Sequence, residues 1–304
     1  MIKLIYNFSE GENDVIYTIE NENLTVNISS LGAELMSIKG NNTEYLWQGN
    51  EKYWSGRAPI MFPTCGRLFE GKYTYLGKEY SMPNHGIARS SEFSPSEIGK
   101  DFITLELRAN EYTRGMYPFE FLFRVKFKLV SNKLNICYIV KNLDDVDLIF
   151  GVGGHPAFNV PLEAGLDFSD YVVEFPKSCD AVRVDFSPSC FLTNDDKLFT
   201  QGGTKSINLN HDMFDNDAIF LYNIPKEAKL YSPKGKRAIT ISFDKMKYLG
   251  LWHMPKTDAP YICLEPWSSV PADEGKVDNL LTKREMVHLP SGYTYKNDYT
   301  ITIE

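Results

Sequence analysis

Phe123-Arg-Val-Lys-Phe-Lys-Leu129 decides the fold: apolar residues at 123, 125, 127 and 129 alternate with Arg124, Lys126 and Lys128. A side-chain period of two belongs to a strand with one face on a core and the other in water. The same beat recurs at Leu24, Val26 and Ile28, at Ile103, Leu105 and Leu107, at Ile239, Ile241 and Phe243, and at Tyr299, Ile301 and Ile303. One-sided strands of this kind pair antiparallel. Tyr75-Leu-Gly77-Lys-Glu-Tyr80 and Ser232-Pro-Lys-Gly235-Lys-Arg read as hairpin links between such strands. No stretch offers a long amphipathic helix; the best short candidates are residues 50–55 and 280–286. Many short strands without strand–helix alternation predict an all-β fold, a large antiparallel β-sandwich. No linker, low-complexity tract or repeat interrupts the chain, so 1–304 reads as one domain whose concave sheet face would hold a ligand.

Composition narrows the function classes. The chain is 43% hydrophobic and 24% charged, with 18 Tyr and 19 Phe, which suits a globular protein built of strands. A formal charge of -8 argues against nucleic acid as partner, because a phosphate backbone needs a basic face. It fits a soluble cytoplasmic protein handling a small ligand. The five cysteines are scattered, with no Cys-x-x-Cys pair, so neither a disulfide framework nor a zinc cluster is expected. The first ten residues lack the apolar run of a signal peptide, and no later run approaches membrane-spanning length, so no membrane association is expected. Those observations place the protein in a reducing, intracellular setting.

Two segments carry the chemistry: Gly153-Gly-His155-Pro-Ala-Phe-Asn159 and Ile262-Cys-Leu-Glu265-Pro-Trp267. Each sets a proton-handling side chain directly before a proline, where the backbone is driven into extended geometry. His155 and Glu265 are therefore expected at strand ends, aimed by a fixed backbone. An imidazole and a carboxylate so held are sufficient to move two protons on one small molecule. Leu264, Pro266 and Trp267 frame Glu265 with apolar surface, which raises a carboxyl pKa or demands a hydrogen-bonded partner.

Among the remaining histidines, His85 precedes Gly86, whose conformational freedom permits a turn that exposes the ring. His211 has polar neighbours and reads as a solvated loop residue, His288 as structural, and His253 as either pocket-lining or strand-capping. Arg67, between Gly66 and Leu68, is placed to donate to several ligand oxygens. Asp215 and Asp217 precede an apolar run; either holds ligand hydroxyls or bonds its own turn. Trp47, Trp54, Trp252 and Trp267 offer flat faces of the kind sugar rings pack against, or core filling. There is no phosphate-binding loop, nucleophile elbow or dinucleotide fingerprint. His-x-x-x-His and His-x-His are absent, so a histidine-built metal site would have to assemble from distant positions.

In order along the chain, Gly66-Arg67, Asn84-His85-Gly86, Gly154-His155-Pro-Ala-Phe-Asn159, Asn216-Asp217-Ala-Ile-Phe220 and Glu265-Pro-Trp267 resemble the aldose 1-epimerase (mutarotase) family. They are most similar to its bacterial aldose 1-epimerase-like branch, in which His-Pro and Glu-Pro-Trp stand where galactose mutarotases carry other residues. The resemblance implies a galactose mutarotase-like supersandwich and a cofactor-free, metal-free interconversion of the anomers of a free aldose. It implies Glu265 as an ionised base, His155 as a protonated acid, and His85, Arg67, Asp217 and Trp267 as sugar-binding residues. It admits a homodimer. Two alternatives stay open: a hexose-phosphate epimerase, for which Arg57, Arg67 and Arg89 are phosphate candidates, and a non-catalytic sugar-binding protein on the same fold.

Overall fold

The computed structural model describes residues 4–6 and 14–304. The remaining N-terminal residues, with most of the segment read above for a leader, lie outside it.

Strands dominate, as the period-two beat predicts. Phe121–Val130 buries Phe123, Val125, Phe127 and Leu129 and leaves the intervening basic residues wetter. It pairs antiparallel with Phe102–Arg108 on one side and Lys133–Asn142 on the other. These belong to a nine-stranded sheet that also contains Ser94–Ile98, Val172–Cys179, Thr204–Asn208, Glu227–Tyr231, Ala238–Ser242 and Thr294–Ile303. Both hairpins form. Lys72–Tyr75 returns as Lys78–Ser81 through Leu76 and Gly77, both with positive φ, and Glu227–Tyr231 returns as Ala238–Ser242. The pairing is antiparallel almost throughout; a short parallel contact joins Asp278–Asn279 to Lys72–Tyr75.

An eight-stranded sheet packs across the nine-stranded one and carries Ile219–Tyr222, Tyr248–Trp252, Tyr261–Trp267, Gly153–Gly154 and Ile60–Met61. Phe62 stacks on Phe123 with centroids 4.5 Å apart, and the Tyr138 hydroxyl donates to the Gly153 carbonyl at 3.2 Å. One continuous apolar core runs between the layers, from Tyr17 to Ile303. A five-stranded sheet formed by the N-terminal strands closes one side.

The two helical candidates are not helices. Residues 50–55 form turns closed by an Asn50–Trp54 bridge, and 280–286 are turns around a buried Lys283. Among the described residues the α-helix lies elsewhere, at Glu111–Met116. It is six residues long, nucleated by a capping box between Asn110 and Thr113 rather than by an amphipathic stripe.

Candidate active site

Tyr261–Trp267 is buried at every position. Its even residues, Ile262 and Leu264, join the core between the sheets, while Cys263, Glu265 and Trp267 point the other way. Glu265 thus lies within a central strand, not at a strand end. Leu264 and Ser268 donate to the Pro156 and Val152 carbonyls at 3.1 and 2.9 Å, and Pro266, which has no N–H, falls between these two donors. On the other flank Gly250 pairs with Glu265. A Cβ on Gly250 would sit 2.4 Å from the Phe220 ring and 3.2 Å from the Glu265 Cβ, so only glycine fits there.

His155 occupies the break between Gly153–Gly154 and Ala157–Asn159, which both pair with the Glu265 strand. Its Nε2 lies 3.4 Å from Glu265 Oε2. Trp54 lies across the imidazole with centroids 5.1 Å apart, and Trp252 meets it edge-on.

Both groups border a cavity of about 490 Å³, within the size range of small-molecule sites. All six sequence-predicted site residues line it: Arg67, His85, His155, Asp217, Glu265 and Trp267. His85 and Gly86 take consecutive left-handed conformations, φ +67° and +79°. A Cβ on Gly86 would meet the Phe62 carbonyl oxygen at 2.3 Å. The Gly66 N–H donates to His85 Nδ1 at 3.2 Å, which makes Nε2 the protonated nitrogen of the neutral ring. His85 can therefore donate a hydrogen bond but not accept one at that atom. Asp217, and not Asp215, borders the cavity; Asp215 is exposed outside it. Asp217 has φ +73°, and its Oδ1 accepts from the Ala218 N–H, which aims the other oxygen outward from the turn.

The Glu265 carboxyl shifts in the direction its apolar frame implies. Burial pushes the Glu265 carboxyl well above its usual range, and the Asp217 charge pushes it further. The Trp267 indole N–H pulls the other way without reaching hydrogen-bond geometry. Burial lowers His155 to about 3, with Arg89 adding to the effect. His155 Nδ1 is buried without a well-formed hydrogen bond, and a contact with its own backbone opposes the shift only in part. His85 is likewise lowered, by burial first and then by His155, Arg89 and Arg67. Burial therefore favours a neutral carboxyl beside a neutral imidazole, whereas the resemblance implied an ionised Glu265 and a protonated His155. The two arrangements hold the same number of protons and differ by one transfer across 3.4 Å.

Sequence reading missed Cys190. Its Sγ–H donates to Asp217 Oδ2 at 2.7 Å, and it lines the cavity with φ +64°. No local signal marks it, because the Ser187–Phe191 turn reaches the cavity only through tertiary packing. Trp54 and Trp252 form cavity wall, while Trp47 is buried beside it and donates to the Trp54 carbonyl. Arg89 borders the cavity with no hydrogen bond or ion pair among the described residues. Arg57 is not there; its Nε donates to the Gln48 carbonyl. His211 is no solvated loop residue. It stacks on Phe168 at 4.2 Å and meets His253 Nε2 at 3.1 Å. His253, buried and bonded to the Met254 carbonyl, supports the cavity rim formed by Met254 and Pro255. His288 is exposed on Val287–Leu289.

The aldose 1-epimerase family model matches residues 15–272. The chain belongs to the aldose 1-epimerase family. Protein LacX, plasmid-borne in Lactococcus lactis subsp. lactis, is 33% identical over 297 residues, covering 94% of this chain and 98% of LacX. A galactose mutarotase related enzyme from Lactobacillus acidophilus has a TM-score of 0.88 and 34% identity, covering 95% of this chain and 97% of its own. A galactose mutarotase-like protein from Lactobacillus casei has a TM-score of 0.90 and 30% identity, covering 95% and 100%. The family's fold is the sandwich described above. Among the described residues no helix is long and apolar enough to cross a membrane, and all five cysteines are free thiols.

Proposed function

We propose that this aldose 1-epimerase family member is an intracellular isomerase that interconverts the α and β anomers of an aldose. The observation that carries the reading is the convergence of Glu265 and His155, 3.4 Å apart, with His85, Arg67, Asp217 and Trp267 around one cavity. Indole faces of Trp54, Trp252 and Trp267 pack against the sugar ring, and Asp217 accepts from its hydroxyls. His85 Nε2–H and Arg67 donate to the ring-oxygen side.

Sugar hydroxyls entering the cavity stabilise the ionised arrangement, with the shared proton on His155. Glu265 takes the C1 hydroxyl proton while His155 donates to the ring oxygen, and the C1–O5 bond opens to the aldehyde. Rotation about C1–C2 presents the other carbonyl face, and the two groups run in reverse to close the opposite anomer. Both steps are proton transfers and call on no nucleotide or metal. Polarimetry on freshly dissolved α-glucose and α-galactose tests this. Glu265→Gln should lower turnover by about 10²–10⁴-fold while sugar binding persists. Full activity in that variant would remove Glu265 from the role of base; binding without catalysis in the wild type would favour a sugar-binding protein.

A second reading concerns the substrate. Arg89 is unpaired at the cavity edge, and Arg67 makes only a long 3.5 Å contact with the Ser189 carbonyl. The free Arg89 guanidinium and the loosely held one of Arg67 favour an aldose bearing an anionic substituent such as phosphate. Arg89→Ala should then depress turnover of the phosphorylated aldose and spare the neutral one.

A further inference from the structure

Cys263 takes no part in the proton transfers above, does not border the cavity, and its thiol makes no hydrogen bond among the described residues. It stands two residues before Glu265 on the same face of one strand, opposite Ala157 of the neighbouring strand that begins beyond His155. One donor atom from each of His155, Cys263 and Glu265 falls within 4.8 Å of the other two, and all three residues are buried. We propose that these three side chains form a site for a soft divalent cation of the zinc type, whose binding shuts off the epimerase chemistry.

Bond lengths support the fit. Ligands at about 2.0–2.2 Å from a tetrahedral ion stand roughly 3.3–3.6 Å apart, and His155 Nε2 and Glu265 Oε2 are 3.4 Å apart. Drawing the Cys263 sulfur into the same tetrahedron, where it would stand about 3.5–3.7 Å from the other donors, needs a closure of at most roughly 1.3 Å from the 4.8 Å limit. One imidazole, one thiolate and one carboxylate select zinc-like ions. Magnesium and calcium ask for six or more oxygen ligands, which this corner lacks. The fourth position is left to a water. On binding, the Cys263 S–H bond and the Glu265 O–H bond both break as the metal–ligand bonds form, and two protons leave to solvent. The ion occupies the same lone pairs that the sugar reaction uses, so cation and sugar exclude each other's chemistry.

The inhibition part rests on the reading of His155 and Glu265 as the reacting pair; the spectroscopic part does not. Wild-type protein is titrated with Cd²⁺ while the ultraviolet thiolate-to-metal charge-transfer band is recorded, and mutarotation is followed with Zn²⁺ or Mg²⁺ added. We expect a saturable band, inhibition by Zn²⁺ that a chelator reverses and sugar opposes, and no effect of Mg²⁺. Cys263→Ala should abolish the band and weaken inhibition, relative to its own basal rate, by roughly tenfold or more, since even outer-shell losses cost 10–100-fold in affinity. Cys263→Ser serves the same purpose with near-native volume if the alanine variant is unstable. Cys190→Ser, at the other thiol near a carboxylate, should keep the band. Absence of the band in wild type, its survival without the Cys263 thiol, or its loss in Cys190→Ser would each overturn the site. If neither sugar is epimerised, the cadmium band still decides the metal site, and an active enzyme without the band leaves the proposed function standing.

Discussion

Replacing Gly250 by alanine adds one methyl group directly beneath Glu265. That Cβ would lie 2.4 Å from Phe220 Cε2, against about 3.5–4.0 Å for a relaxed carbon contact. The overlap is therefore more than 1 Å. The backbone has little room to yield, because Gly250 is paired with Phe220 on one side and Glu265 on the other. Relief must come from the Phe220 ring, which packs against Trp267 with centroids 4.4 Å apart, or from Glu265, whose Cβ would be 3.2 Å away. Overpacking of this kind costs about 1–3 kcal/mol, which a thermal melt registers as a fall of several degrees. A shift of about 1 Å in the reacting carboxyl costs about 100-fold in rate. Gly250→Ala should thus lose stability and polarimetric activity together, with most of the loss in kcat rather than KM. Wild-type activity with an unchanged melt would refute the reasoning, since it would mean that neither the ring nor the carboxyl is held where the packing places it.

Gly115 offers the opposite case, exposed in Glu111–Met116 with open space where a Cβ would go; Gly115→Ala should raise stability by roughly 0.5–1 kcal/mol, read by denaturant titration, with activity untouched. Cys190→Ala removes the donor to Asp217 and should raise KM about two- to tenfold, the worth of one hydrogen bond, while Cys190→Ser restores it; an equal loss of kcat in both would point to a collapsed turn instead. His155 is lowered to about 3 and Glu265 is raised, so the pair keeps its single proton as pH falls through 6.5, where a free imidazole would protonate. The kcat/KM profile should accordingly stay flat there, and an acid limb at 6.5 would show an ordinary imidazole. Stability sets the lower bound of that experiment: His155 and His253 have folded pKa values of about 3 and 4. The unfolded chain therefore binds protons first, and stability present above pH 6.5 is lost as pH falls below it.

Half-buried strands announce themselves one residue at a time, so the sheet architecture was legible in the chain. Tyr261–Trp267 was harder, because it is covered on both faces and its alternation is hidden in a continuous apolar run. Glu265 and His155 were legible through their prolines, although the proline after Glu265 marks a skipped ladder position and not a strand end. Asp215 and Asp217 could not be separated from sequence, since the turn Phe214–Asp217 decides which carboxylate reaches the cavity. Cys190 and Arg89 arrive from loops whose approach depends on the whole fold. The Glu111–Met116 helix escaped because six residues give no period to read; its signal was the Asn110–Thr113 cap alone. The rise at Glu265 was legible in its apolar frame, whereas the fall at His155 was not, because desolvation is a property of the packed neighbourhood and not of the residue.

His85, Cys190 and Asp217 share one feature, a left-handed backbone without glycine's freedom, and all three border the cavity. Each such residue costs on the order of 1 kcal/mol or more. Glycine at 190 or 217 would relieve that cost while deleting a thiol or a carboxylate that lines the cavity. A screen for heat resistance that ignores turnover would accumulate such replacements and empty the site. A lineage that needs the chemistry must find its thermal tolerance elsewhere, in the sheets.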